Sequence, residues 1–308
     1  MKIIVVGSSN TDMIIKTERI PKPGETVIGG AFSMAAGGKG ANQAVAAARA
    51  GGQVTFIARV GADLFGEQAV VGFIADGIEV THVLRDKRSP SGVALIYVDR
   101  KGENSIAVAS GANAQLAPAD VRRARAEIAA ADVLLMQLET PLETIAAAAE
   151  IAAKHHVPVI LNPAPAQPLP PALLEKITIL TPNEHEAELL TGIAVNNARD
   201  AAAAAENLLA RGVGMVIITL GAKGAYVHAA DFKGMVPGFS VAAVDTTAAG
   251  DVFNGALAVA LGERRPLAEA VRFAHAAAAL SVTKLGAQPS APQRRAIQRL
   301  CKSGGGAA

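Results

Sequence analysis

Short runs rich in β-branched residues recur along the chain at Ile3–Val6, Val54–Val60, Val133–Leu138, Val157–Leu161, Ile177–Leu180 and Met215–Thr219. Each reads as a buried strand. Between them stand stretches of helical composition: Gly40–Ala50, Phe65–Ala75, Pro118–Ala130, Leu142–Lys154, Asn183–Leu190 and Arg199–Arg211. Nearly continuous apolar strands alternating with helices predict an α/β fold, a mostly parallel central sheet with helices on both faces. Ligands of such sheets bind beyond the carboxyl ends of the strands. The polar residues that directly follow each run are therefore the first candidates for function.

Two regions break the alternation. Met13–Ile15, Thr26–Ile28 and Phe32–Ala35 are short strand-like pieces set apart by Pro and Gly, and Ser91–Asp99 with Asn104–Ala109 reads as a hairpin around Arg100–Glu103. Without helices between them, these pieces should pair antiparallel, away from the main sheet. The predicted organisation is one α/β domain over residues 1–302, with a small β lid from about 12–36 and 91–110. A Gly/Ala-rich tail over 303–308 is expected to be disordered. A β flap with one unburied apolar face suits a lid, a dimer contact, or both.

Composition narrows the class. Of 308 residues, 51% are hydrophobic but only 3% aromatic, with alanine supplying much of the excess, which excludes disorder, collagen-like repeats and a disulfide scaffold. The 29 basic and 27 acidic residues leave a net charge of +2, so charge gives no reason to expect nucleic acid or an anionic membrane as partner. A single cysteine, Cys301, forms no internal disulfide and reads as an incidental residue near a frayed end. Ile3–Val6 is too short for a signal-peptide core, and no apolar stretch approaches the ~20 residues of a membrane helix. A cytoplasmic protein is expected.

Several catalytic patterns are missing. Ser33 and Gly40 stand where a Walker motif around Gly38-Lys39 needs glycine and a hydroxyl, and Gly38–Gln43 lacks the third glycine of a dinucleotide fingerprint. No serine sits in a nucleophile elbow, and His185 opens no zinc-protease helix. His155 and His156 are expected to face solvent at a helix end.

The most informative segment is Asp245-Thr246-Thr247-Ala248-Ala249-Gly250-Asp251, after which apolar periodicity resumes from Val252 to Leu261. A helix should begin near Gly250. Small residues there leave free amides open to an anion, and Asp251 beside them suits a base that takes a proton from an attacking hydroxyl. A simple helix cap explains the segment equally well. Gly37-Gly38-Lys39-Gly40-Ala41-Asn42-Gln43-Ala44 permits close backbone approach to a polar ligand, although a flexible loop before a helix has the same look. Asn10 and Asp12 after the first strand, Glu139 after the third, Asn183–Glu186, and the Thr219–Gly224 turn complete the polar strand ends. Singly each is ordinary punctuation; together they favour a binding cleft.

With these segments in this order, the chain resembles the ribokinase branch of the PfkB family of carbohydrate kinases, from Asn10 to Ser290. The resemblance implies an α/β domain with a β lid that often makes a homodimer. It implies a sugar site at Asn10, Asp12, Gly38, Lys39, Gly40, Asn42, Glu139 and Asp251, with Asp251 as general base. Ala248, Ala249 and Gly250 would form an anion hole for the γ-phosphate. Asn183 and Glu186 match the family's Asn-x-x-Glu, tied to phosphate and Mg²⁺ through water, while Thr219, Gly221, Gly224 and His275 would line the ATP pocket. A monovalent-cation site, typically K⁺, would fall at Asp245, Thr247, Ser281, Lys284, Gly286 and Ser290. The expected reaction is ATP-dependent phosphorylation of D-ribose on its 5-hydroxyl; a related kinase for deoxyribose, another sugar or a nucleoside is the alternative. A sensor that kept the fold without catalysis should have lost Asp251, and a dehydrogenase should carry the missing fingerprint.

Overall fold

The computed structural model describes residues 1–303. In chain order its strands are β1 (Lys2–Val6), β2 (Asn10–Lys16), β3 (Ala31–Gly37), β4 (Gln53–Gly61), β5 (Val83–Asp86), β6 (Gly92–Val98) and β7 (Asn104–Ala109). They continue as β8 (Val133–Met136), β9 (Val159–Leu161), β10 (Ile179–Leu180), β11 (Met215–Thr219), β12 (Ala225–His228) and β13 (Lys233–Val236). A nine-stranded sheet runs β13-β12-β11-β10-β9-β8-β1-β4-β5, and a four-stranded sheet runs β3-β2-β6-β7. From β11 to β5 every pairing in the large sheet is parallel; β12 and β13 close the other edge antiparallel.

The apolar runs behave as strands because both faces of the sheet are covered. In β1, Ile3 and Val5 pack into one core with Phe56, Leu135, Phe253 and Phe273, while Ile4 and Val6 pack into the other with Leu134, Met136 and Ile145. Period-two alternation with no polar face is what a doubly covered sheet demands. The predicted strands and most helices form, and the helix Leu142–Lys154 has the expected limits. His155 and His156 are exposed just beyond its end, as expected. Among the described residues, no helix is long and apolar enough to cross a membrane.

The differences have local causes. The small sheet is not wholly antiparallel: β2 pairs antiparallel with β3, and β6 with β7, but β2 and β6 run parallel. Between them the chain passes through β4 and β5 of the large sheet and returns in the same direction, a crossover that no local pattern reveals. Thr26–Ile28 forms no strand, because it lies in the loop between β2 and β3, where Gly29 and Gly30 adopt positive φ and Ile28 is 94% exposed. The stretch Pro118–Ala130 breaks at Ala124 into two short helices. Cys301 is not on a frayed end. It sits in the helix Arg294–Lys302, half-buried with Leu300 against the core. Ser303 caps that helix, and the rest of the predicted tail, 304–308, lies outside the described residues.

One contact sets up the site. The helices Lys39–Arg49 and Ala249–Gly262 pack so closely at Gly255 that a Cβ there would lie 2.6 Å from the Gln43 carbonyl oxygen and 2.7 Å from Ala46 Cβ. This approach brings the two helix N-termini side by side. Gly255→Val is expected to force them apart and to destabilise the protein by about 1–3 kcal/mol, read as a drop of several degrees in Tm. An unchanged Tm would contradict the packing argument.

Candidate active site

The polar residues gather where the strands end. Beyond β1 the chain turns through Gly7-Ser8-Ser9 into β2, which delivers Asn10 and Asp12 at the base of the small sheet. Asn113 pins this turn. Its Oδ1 accepts from Ser9 N (2.8 Å), and its Nδ2 donates to Ser9 O (3.1 Å) and to Asn10 Oδ1 (2.7 Å). Gly37 and Gly38 are needed for close approach: a side chain at Gly37 would strike the Asp12 carboxylate, and Gly38, at φ +88°, would bring a Cβ to 2.7 Å from Asn10 N. The backbone then enters the helix Lys39–Arg49 against the tip of β1.

Glu139, just past β8, is held by that entry. Its Oε2 accepts from Ser8 Oγ at 2.6 Å and from the Lys39 amide at 3.0 Å. One helical turn on, Asn42 Nδ2 donates to Asp251 Oδ2 (3.0 Å) and Gln43 Nε2 to Asp251 Oδ1 (2.9 Å). Asp251 is buried in the first turn of the helix Ala249–Gly262. Ala248 precedes it in the left-handed region (φ +59°), an uncommon conformation for alanine. The helix has no side-chain cap, and the amides of Gly250 and Asp251 find no backbone acceptor among the described residues. A carboxylate and free helix N-terminal amides thus share one turn.

Lys39 stands among Asp251, Glu139, Glu186 and Asp12. Burial alone would lower its pKa, but these carboxylates outweigh burial and raise it. The acids respond in the opposite sense. Burial, helped by Glu139 and Asp251 and opposed by Lys39, pushes Asp12 up to about 6. Burial also raises Asp251 against the pull of Lys39, Asn42 and Gln43, and raises Glu186 against the Asn183 amide and Lys39. Beside Asn10 and Glu139 opens a cavity of about 380 Å³, overhung by Val108 of β7 and lined also by Thr140 and Gln167.

The remaining predicted residues fall in two further groups. Asn183 and Glu186, at the tip of β10, form a reciprocal capping box, Glu186 N donating to Asn183 Oδ1 (2.7 Å) and Asn183 N to Glu186 Oε2 (2.9 Å). Thr219, ending β11, bridges to Asn183, and Gly221 and Gly224 shape the turn into β12 at positive φ. His275 does not stand open to this group. It is buried against Phe253, with ring centroids 4.9 Å apart, and burial holds its pKa down at about 4. The second group is a loop cluster: Asp245 accepts from Thr247 N (2.9 Å) and Gly286 N (2.8 Å), and Lys284 N donates to Ser281 O (3.0 Å). Burial would raise Asp245, but those hydrogen bonds prevail and its pKa is lowered. Ser281 and Ser290 are buried and turn their hydroxyls onto Ala278 O and Ala287 O.

A layer of buried amides and hydroxyls lies behind these residues, and the sequence reading did not single it out. Gln137 Nε2 donates to Gln43 Oε1 (2.6 Å), Gln43 Nε2 to Asn162 Oδ1 (3.1 Å), and Asn162 Nδ2 to Thr181 O (3.2 Å). Thr181 Oγ1 donates to Asn254 Oδ1 (2.6 Å), whose Nδ2 reaches Gly250 O (2.8 Å). Asn162 and Thr181 each follow an apolar run and Gln137 interrupts one, so a signal was present.

The pfkB family carbohydrate kinase model matches residues 1–294. The chain belongs to the pfkB family of carbohydrate kinases. This carbohydrate kinase is 50% identical to a ribokinase of Haemophilus influenzae over 95% of its own length and 96% of the relative's. It is 40% identical to a deoxyribokinase of Salmonella typhi, covering 95% and 96% of the two chains. The structure of Arabidopsis thaliana ribokinase complexed with ribose and ATP superposes with a TM-score of 0.89 at 34% identity, over 97% of this chain and 98% of that one.

The kinase's Asp12 gives a pH-dependent prediction. Its folded pKa is raised above the ordinary value of 3.8, so the folded state holds the proton more tightly than the unfolded chain. The resulting penalty is absent below the unfolded value and complete above about 6. Asp12→Asn should therefore stabilise the protein at pH 8 by about 3 kcal/mol, or about 5 °C in Tm, and give no such gain near pH 4. Equal gains at both pH values would contradict the assignment.

Proposed function

We propose that the protein transfers the γ-phosphoryl group of ATP to the 5-hydroxyl of D-ribose, giving D-ribose 5-phosphate and ADP. The observation that carries this reading is the single helical turn shared by the Asp251 carboxylate and the free amides of Gly250 and Asp251. Asp251 takes the hydroxyl proton as the sugar oxygen bonds to the γ-phosphorus and the bond to the β-phosphate oxygen breaks. Gly250 presents a free backbone amide to the charge on the transferring group, with Ala248 beside it and Ala249 joining once it releases the Thr246 carbonyl. Asn10, Asp12, Gly38, Lys39, Gly40, Asn42 and Glu139 hold the sugar. Asn42 Oδ1 is buried without a partner, and a sugar hydroxyl would satisfy it.

ATP binds along the tips of β10 and β11, at Asn183, Glu186, Thr219, Gly221 and Gly224; His275, buried against Phe253, is not among the groups open to it. Glu186 commits one oxygen to the Asn183 amide and leaves the other for a water of hydrated Mg²⁺. Mg²⁺ neutralises phosphate charge when bound. The Asp245 cluster suits K⁺: among the described residues the carbonyls of Thr247, Lys284, Gly286 and Ser290 accept no hydrogen bond, and the Gly286 amide is tied to the Asp245 carboxylate. A basic patch is not required, since amides and cations replace it.

The outer face of the small sheet supports a homodimer. Met13 pairs with Met34 and Leu95, Ile15 pairs with Phe32 and Tyr97, and Phe32, Met34, Leu95 and Tyr97 are exposed on that one face. A second copy would cover it. A cytoplasmic location fits this chemistry and the small-molecule partners.

The first experiment follows ADP release with ribose, 2-deoxyribose, fructose and adenosine, with and without K⁺. Ribose should give the highest kcat/KM, and K⁺ should increase it at least several-fold. No turnover on any sugar would overturn the kinase reading, and faster turnover on 2-deoxyribose would move the assignment to the substrate of the Salmonella typhi relative. Leu95→Glu should convert the dimer to a monomer in light scattering; an unchanged mass would place the dimer contact elsewhere.

A further inference from the structure

The amide layer behind the site points to a role for one residue. We propose that Gln43 is a positioning residue that keeps Asp251 oriented and ionised as the base. This rests on Asp251 being the base. Gln43 is fully buried, so no water competes for its carboxamide. Its orientation is set by Asn162, and Gln137, whose own Oε1 has no partner among the described residues, accommodates it. Asn162 donates to the Thr181 carbonyl and so must turn its own carbonyl oxygen toward Gln43, while Gln137 donates to Gln43 Oε1. With its oxygen occupied, Gln43 presents N–H, never a lone pair, to Asp251 Oδ1.

The consequence is electrostatic. Asp251 faces Lys39 and Asn42 from the helix Lys39–Arg49, Glu139 from the tip of β8, Glu186 from the tip of β10, and Asp12 from the small sheet. Burial is the main influence favouring the protonated form, and the acids among those neighbours add to it. Lys39, Asn42 and Gln43 oppose it. Gln43 differs from the other two in making no use of open cleft surface, so it acts through Asp251 rather than on a substrate.

The test compares wild type with Gln43→Met, Gln137→Met and Asp251→Asn. Steady-state kcat and KM for ribose are measured from about pH 5 to about pH 9. In Gln43→Met the acidic limb of kcat/KM should move up by about one to two pH units, with KM for ribose within about threefold of wild type at high pH. Lys39, Asn42, Glu139, Glu186 and Asp12 remain in place, so the shift reports the lost donor. A purely structural role would lower kcat at all pH values without moving the limb, and that result, with Asp251→Asn inactive, would overturn the proposal alone. Wild-type turnover in Asp251→Asn would instead overturn the base assignment and the proposal with it. Should Gln43→Met fail to fold, Gln137→Met decides. Freeing the amide from one side, it should move the limb in the same direction by a smaller amount, and an unmoved limb would overturn the proposal.

Discussion

A carboxylate buried away from water must be given partners by the protein, and Asp251 is such a group. Its two oxygens are taken by the side-chain amides of consecutive residues, Asn42 and Gln43. That pairing exists only because two helices touch at Gly255, where no side chain intervenes. It also requires the Gly37–Gly40 run, which lets the helix Lys39–Arg49 start against the tip of β1. The strand order supplies the rest, because β8, β9 and β10 end side by side and bring Gln137, Asn162 and Thr181 into one hydrogen-bonded row behind the carboxylate. A half-satisfied network of this kind would be worse than an apolar wall. Here two oxygens of the network, Asn42 Oδ1 and Gln137 Oε1, have no partner among the described residues.

The same cleft sets a second constraint. Four acids surround one lysine, so a polyanionic nucleotide meets an acidic site rather than a basic one. Attraction must come from elsewhere. The uncapped first turn of the helix Ala249–Gly262 supplies fixed partial charge, and cations complete it in the proposed mechanism. The near-neutral composition of the chain is consistent with this arrangement, since phosphate recognition through backbone amides leaves no mark on a count of Lys and Arg. Alanine and glycine have a corresponding role. They line the close approaches at Gly38, Gly40 and Gly255, where larger residues would separate the groups that must meet.

Much of the site was legible because its residues obey local rules. Asn10, Glu139 and Asn183 each come after an apolar run, Thr219 ends one, and Asp251 opens a helix whose start is marked by small residues. The structure brings Asp12, Lys39, Glu139, Glu186 and Asp251 into one electrostatic cluster. The parts that escaped are those that depend on which strands become neighbours. Gln137 interrupts an apolar run at Met136-Gln137-Leu138, yet its partner, Gln43, is fixed by the strand order and not by spacing. The parallel pairing of β2 with β6 depends likewise on a long excursion of the chain through the large sheet. His275 and Cys301 were misplaced in environment for a related reason: helical faces near the end of the chain pack against the core through contacts that alanine-rich periodicity does not single out.

A crystal structure with D-ribose and a non-hydrolysable ATP analogue would show directly whether Asp251 meets the reacting hydroxyl. An Asp251 oxygen should lie within about 2.6–3.2 Å of the ribose 5-hydroxyl, with that hydroxyl in line with the γ-phosphate and the phosphate oxygens at the Gly250 and Asp251 amides. A 5-hydroxyl turned away from Asp251, or a γ-phosphate bound away from that helix N-terminus, would contradict the account.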